Sequence, residues 1–481
     1  MQSRASSPQR ATKIVATLGP ASADAETITR MARAGMDVAR VNFSHSSHET
    51  IAALVGRVRD ASRVTGRPIA VLGDLQGPKL RIGDLDAPLE LVEGEALAIT
   101  VGGARVDGLA VSCDYDALHE EVAVGSEIYL RDGAICLQVT GVGPGLVRTT
   151  VRRGGTLTSR AGLNVPGMQP KRSALTEQDL DDLRFCARQG IDYIALSFVR
   201  RPEDLLQARA ELDRLGVEPG LVAKIETEVA LEHLEAIADA SDALMVARGD
   251  LGVEVGPENV PPLQRRIVQV AQRRLIPSIV ATEMLESMRS EARPTRAEAS
   301  DVAHAVWEGA DAVMLSAESA VGDHPVETVA MMARILGRAE TVDGVASAWE
   351  VRLSTGDTPQ GIARAVQELL QDDRAIGGVV AFSVTGYSAR LIAASRPAQT
   401  VLALTTEPRV VERLALVRGV QAVLCGAVES EAQMLAIVED AAREHLHCVD
   451  GQTVVLVGAL PIGQGGPTNF LALHALTPAA S

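Results

Sequence analysis

The chain has 481 residues, 46% of them hydrophobic and 22% charged, too long for one ordinary domain and ample for a large core. Sixty-two acids against 46 bases leave a net charge of −16, the reverse of a nucleic-acid binder's basic footprint. No apolar run approaches the ~18 residues of a membrane span, and five scattered cysteines without a CxxC pair (Cys113, Cys136, Cys186, Cys425, Cys448) read as reduced thiols of a cytoplasmic protein.

Met1 to Arg10 is polar and basic with no hydrophobic stretch, so it reads as a disordered tail and not as a secretory signal. From Lys13 a rhythm begins of short β-branched runs, each followed by a turn and an amphipathic helix. The runs are Lys13–Thr17, Val38–Phe43, Ile69–Leu72, Ile191–Ser197, Leu221–Ile225, Ala243–Ala247, Ser278–Thr282 and Ala312–Ser316. Alternation with helices predicts a parallel sheet closed into a (β/α)8 TIM barrel. The third and fourth runs are separated by a long Gly- and Val-rich stretch containing Glu127–Leu130 and Ala134–Val139. That texture predicts a small antiparallel β-barrel, residues 79–170, inserted in the third loop. Residues 1–78 and 171–345 then make up the barrel, about 250 residues, its typical size. After residue 345 the runs Val379–Phe382, Thr400–Leu404, Ala422–Leu424 and Thr453–Val457 alternate with helical segments. They predict a separate α/β sandwich over 346–481.

Barrel chemistry sits at the strands' C-terminal ends, and this chain concentrates charge there. The second strand ends in Arg40, Asn42, Ser44 and His45, and the third in Asp74, Lys79 and Arg81. The fifth ends in Lys224 and Glu226, the sixth in Arg248 and Asp250, the seventh in Thr282 and Glu283, the eighth in Ser316 and Glu318. Lys224 and Glu226, two apart on a strand, share a face, and a charge buried there needs a partner or ligand. Taken alone, Lys-x-Glu is an ordinary barrel-mouth salt bridge; convergence over six strands argues for more. Glu226 and Asp250 are hard oxygen donors suited to Mg²⁺ or Mn²⁺. Arg40, Lys79, Arg81, Lys224 and Arg248 suit a polyanionic substrate, as in phosphoryl transfer, where positioning and electrostatics carry the catalysis.

The stretches KIVATLGPAS, ARVNFSH, DLQGPKLR, GLNVPG, YIALSFVR, MVARGDLGVEV, ATEMLESM and PTRAEASDVAHAVWEGADAVMLSAES, with SVTGYSARLIAASRP and GGPTN in the C-terminal part, together make the chain resemble the pyruvate kinase family over nearly its whole length. The resemblance implies transfer of the phosphoryl group of phosphoenolpyruvate to ADP, giving ATP and pyruvate, the final step of glycolysis, by a cytoplasmic homotetramer. By match of motif, Lys224 neutralises the transferring phosphoryl group, and Glu226 and Asp250 bind the divalent metal. The backbone of Ala247, Arg248, Gly249 and Asp250 at a helix start, with Thr282, holds the substrate carboxylate, and Thr282 lies on the proton path through water. Arg40, Asn42, His45 and Arg81 face the nucleotide, and the inserted domain closes as a lid. Glu283, where the family commonly has Gln, is a departure beside Thr282.

Lys79 matches the pattern of the family's K⁺-independent branch. A monovalent cation would sit by Asn42, Ser44, Asp74 and Leu75; a tethered ammonium supplies the same charge, with Asp74 expected to steady it. K⁺ is therefore expected not to be required. In the C-terminal domain, Ser383, Thr385, Gly386 and Ser388 place hydroxyls and N–H groups ahead of a helix, a phosphate-sized nest. They are expected to hold a phosphorylated allosteric effector. The facing loop Leu460–Gly466 has no basic residue, which points to a monophosphate. The alternative reading is a metal-dependent barrel lyase acting on oxoacid enolates; it would share Glu226 and Asp250 without needing Lys224. A catalytically silent scaffold would need none of these groups.

Overall fold

The computed structural model describes residues 10–44, 46–104, 106–168, 170–171, 173–342, 357–372, 375–460 and 466–478. The leader before Arg10, His45, most of the Leu460–Gly466 loop and the expected boundary at 345 lie outside them.

Eight short runs form the barrel: β1 (Lys13–Thr17), β2 (Val38–Asn42), β3 (Ala70–Asp74), β4 (Tyr193–Leu196), β5 (Gly220–Ile225), β6 (Ala243–Ala247), β7 (Ser278–Ala281) and β8 (Ala312–Leu315). They close in the order β1-β8-β7-β6-β5-β4-β3-β2. Strands in such a barrel are covered by side chains within and helices without, so they read as continuous apolar runs. β6, β7 and β8 are accordingly buried at every residue. The connecting helices carry their own stop and start signals. The helix Arg296–Glu308 begins with a Thr295–Glu298 capping box and ends at Gly309 in the left-handed region.

The insert after β3 is a seven-stranded, mostly antiparallel sheet with a two-stranded companion (Leu89–Leu91 with Gly155–Leu157). Its two outermost strands, Leu80–Arg81 and Ala110–Ser112, are joined just beyond their ends by an antiparallel bridge, Ile82 to Cys113. The sheet therefore curls round its own core of Ile82, Leu97, Ile99, Ile128, Leu137 and Val147. The C-terminal domain is a five-stranded sheet, β9 (Ile376–Phe382), β10 (Val401–Thr405), β11 (Val420–Leu424), β12 (Thr453–Gly458) and β13 (Phe470–Ala475). Its order is β11-β10-β9-β12-β13, parallel except for β13. Apolar clusters around Val379 and Val380 occupy its two faces.

The chain divides into two compact units. One is Met1–Gly73, Arg188–Ile194 and Val268–Ser481; the other is Asp74–Ala187 and Ala195–Ile267. The first carries β1, β2, β7, β8 and the C-terminal domain; the second carries the insert with β5 and β6. No helix among the described residues is long and apolar enough to cross a membrane.

Candidate active site

In the second unit, β5 and β6 run parallel with Lys224 opposite Met245. Lys224 and Glu226 leave the end of β5 two residues apart. Glu226 is 1% exposed; its Oε2 accepts the Phe198 N–H at 2.7 Å. Its Oε1 lies 2.9 Å from Lys224 Nζ, a buried ion pair. Burial pushes the Glu226 carboxyl up, Lys224 opposes this, and Asp250 adds to it. Two acids whose charges oppose each other in a buried site favour a cation beside them. The donor set therefore fits a divalent metal held by Glu226 and Asp250.

Lys224 Nζ also donates to Ser197 Oγ at 2.7 Å and stands 3.4 Å from Asp74 Oδ1. Ser197 in turn donates to the Leu75 carbonyl at 2.7 Å. Asp74, 1% exposed at the end of β3, is thus set against Lys224. This corrects the expectation that it steadies Lys79, whose partners are Asp132 of the insert and Asp250, each at 3.1 Å. The turn between them is tightly specified. Gly77 has φ +67 and donates to buried Asp179, and a Cβ there would stand 2.9 Å from the Ser197 Cβ. Only glycine fits that approach.

β6 runs straight into the helix Arg248–Val255, capped by Ala247. Arg248 reaches buried Gln264 at 3.4 Å. Glu254, near the other end of this helix, accepts the Gly167 N–H at 3.2 Å, and its carboxyl is pushed up by burial. It ties the helix to the GLNVPG segment where the insert rejoins the barrel. Arg81 lies in the insert, its backbone on Asp114 and its guanidinium on the Arg160 carbonyl at 3.0 Å.

In the first unit, Arg40 donates to Thr17 Oγ1 at 2.9 Å, and Ser319 Oγ donates to the Thr17 carbonyl at 2.9 Å. Asn42 Oδ1 accepts the Ser44 N–H at 3.0 Å. Thr282 and Glu283 follow β7 with φ of +71 and +52, two successive non-glycine residues in a region where strain collects at functional sites. Buried Glu318 secures this turn by accepting the Leu285 N–H at 3.1 Å and the Ser316 N–H at 2.7 Å. In the C-terminal domain Gly386, at φ +78, caps the helix Tyr387–Ala394. Thr385 is exposed, whereas Ser388 is buried with its hydroxyl 2.7 Å from that of Thr468; of the two, Thr385 presents its side chain outward.

Ser197, Asp132 and Glu254 were not singled out from the sequence. Glu254 lies within the stretch MVARGDLGVEV and Ser197 within YIALSFVR, at the end of the fourth barrel run, so both motifs contained a signal for them. Asp132, in a surface hairpin, carried no signal.

A family model described as "Pyruvate kinase, barrel domain" matches residues 9–329, and one described as "Pyruvate kinase, alpha/beta domain" matches residues 360–474. The chain is 41% identical over 467 residues to a pyruvate kinase of Mycobacterium intracellulare, covering 96% of this chain and 98% of the relative. It is 40% identical to one of Mycobacterium tuberculosis with the same coverage. A relative from Geobacillus stearothermophilus is 38% identical over 481 residues, covering 98% of this chain and 81% of its own length.

Proposed function

The chain belongs to the pyruvate kinase family of phosphotransferases, and on that footing we propose that it transfers the phosphoryl group of phosphoenolpyruvate to ADP. The products are ATP and an enolate that is protonated to pyruvate, the last step of glycolysis, carried out in the cytoplasm. The observation that carries this reading is the Lys224–Glu226 pair, an ammonium 2.9 Å from the oxygen of a carboxylate that is 1% exposed.

Lys224 neutralises the phosphoryl group in flight. Such stabilisation matters most when the charge is preorganised and water is excluded. Glu226 and Asp250 would hold Mg²⁺ or Mn²⁺, which would supply Lewis-acid stabilisation of negative charge at the site. The N–H groups opening the helix Arg248–Val255 hold the substrate carboxylate with Thr282, a role that suits a helix N-terminus. Thr282 orders water on the proton path. Arg40, Asn42, His45 and Arg81 face the nucleotide, and the insert shields the phosphoryl group from hydrolysis. Lys79 supplies the charge a monovalent cation would otherwise bring, so K⁺ is not required. A phosphorylated metabolite acts through Ser383, Thr385, Gly386 and the segment held by Ser388, and the assembly is a homotetramer.

The test is pyruvate formation from phosphoenolpyruvate by the purified protein. The reading requires product only when ADP and a divalent metal are both present, with ATP formed alongside. Pyruvate produced at full rate without ADP would favour lyase-like or hydrolytic chemistry instead.

A further inference from the structure

The hairpin between the insert strands Glu127–Leu130 and Ile135–Gly143 is strained at its tip. Arg131 and Asp132 both have φ of +52, and Gly133 has φ +88. Two successive non-glycine residues in the left-handed region cost conformational energy that surrounding contacts must sustain, while Gly133 adopts it freely. Two such contacts are present. The tip packs on the helix Arg248–Val255, where a Cβ built on Gly133 would touch Val253 at 3.4 Å. Asp132 Oδ1 receives Lys79 Nζ at 3.1 Å, while the same ammonium holds Asp250 Oδ1 at 3.1 Å.

Lys79 also has a prepared channel. A Cβ on Gly162, in the insert's returning strand, would stand 2.8 Å from Lys79 Cε, so the absence of a side chain there lets the lysine pass. Burial alone pushes the Lys79 ammonium down, but Asp250 and Asp132 outweigh it and raise its pKa. The two ends of the clasp differ in character. The Asp132 side chain is 72% exposed, whereas Asp250 is 30% exposed, so the insert end can release into water while the barrel end stays.

We propose that Asp132 is a positioning residue for phosphoryl transfer: through Lys79 it clasps the hairpin tip of the insert onto the helix that carries Asp250, holding the insert over the reacting groups. The proposal rests on the activity assigned above and adds a group that touches no substrate. It also gives Lys79 a mechanical role besides its charge.

The test uses the full-length protein with Asp132→Asn and Asp132→Glu. Asp132→Asn should lower kcat three- to tenfold, and should raise the ratio of pyruvate to ATP above one as water reaches the phosphoryl group. Amide exchange in the peptide covering residues 128–137 should speed up, with the thermal midpoint unmoved because Asp132 is exposed. Asp132→Glu should return kcat to within twofold of the parent. Raising ionic strength well above that of the standard assay should slow the parent more than Asp132→Asn, since an exposed ion pair is screened. Unchanged kcat, stoichiometry and exchange in Asp132→Asn would overturn the clasp. If the parent makes no pyruvate, the assigned activity fails, and the exchange measurement alone still decides whether Asp132 holds the tip.

Discussion

Lys224 Nζ stands 3.4 Å from Asp74 Oδ1, so the acid at the end of β3 serves the lysine of β5 and not the lysine five residues further along its own loop. Asp74 and Ser197 fix the ammonium from one side, and Glu226 fixes it from another. Replacing Asp74 with Asn should keep the fold, because the amide has the carboxylate's shape. Turnover should fall about ten- to a hundredfold, the usual cost of removing a supporting partner of a charged site. The KM for phosphoenolpyruvate should change much less. Steady-state kinetics check this; an unaltered kcat would remove Asp74 from the account.

Lys79 has two carboxylates within 3.1 Å and should stay charged throughout the neutral range. The protein should be fully active in buffers free of K⁺, Na⁺ and NH₄⁺, with tetramethylammonium holding ionic strength. Lys79→Glu should lower activity and make what remains rise with added K⁺. A parent enzyme stimulated tenfold or more by K⁺ would refute the charge-substitution role.

Asp37, buried immediately before β2, accepts from Arg10 at 2.7 Å, Arg67 at 3.2 Å and the Ile14 N–H at 2.8 Å. Burial pushes its carboxyl up, but Arg10, Lys13 and Arg67 together hold it below the ordinary value. A depressed carboxyl stabilises the fold fully above its unfolded pKa of about 4, and the contribution is lost as pH falls through the lower folded value. Asp37→Asn should cost about 3–5 kcal/mol at pH 7, as breaking a buried pair does. Urea denaturation across pH should show the gap between parent and variant shrinking in acid. A gap that widened there would contradict the assignment.

Thr385 is exposed at the head of the helix Tyr387–Ala394. Thr385→Glu places a negative charge where a phosphate is proposed to bind. Activation by sugar or nucleoside monophosphates should disappear, leaving basal turnover intact, and monophosphates should activate the parent better than bisphosphates. Activation curves unchanged by the substitution would sink the site.

Much of this was legible in the chain because barrel strands announce themselves. Runs such as Ala243–Ala247 and Ala312–Leu315 are apolar throughout, and a charge at their ends has few structural excuses. The pairing of charges was less legible. Asp74 and Lys79 are close in sequence, yet Gly77 turns the loop so that they part. Lys79 meets Asp132, 53 residues away, across a hairpin whose own sequence says only that it turns. Ser388 follows a loop whose hydroxyls all look available, and only packing against Thr468 shows that its hydroxyl points inward. Such partnerships depend on tertiary register, which local pattern does not encode.

On the proposed mechanism the Lys224 ammonium carries the charge of the moving phosphoryl group. The most direct measurement is the turnover of Lys224→Met beside its binding of phosphoenolpyruvate. Methionine fills a similar volume, so the fold and substrate affinity should persist. Turnover should fall by at least the ~10²–10³-fold lost with one transition-state donor. A variant that binds phosphoenolpyruvate and turns over at close to the parent rate would contradict the claim outright.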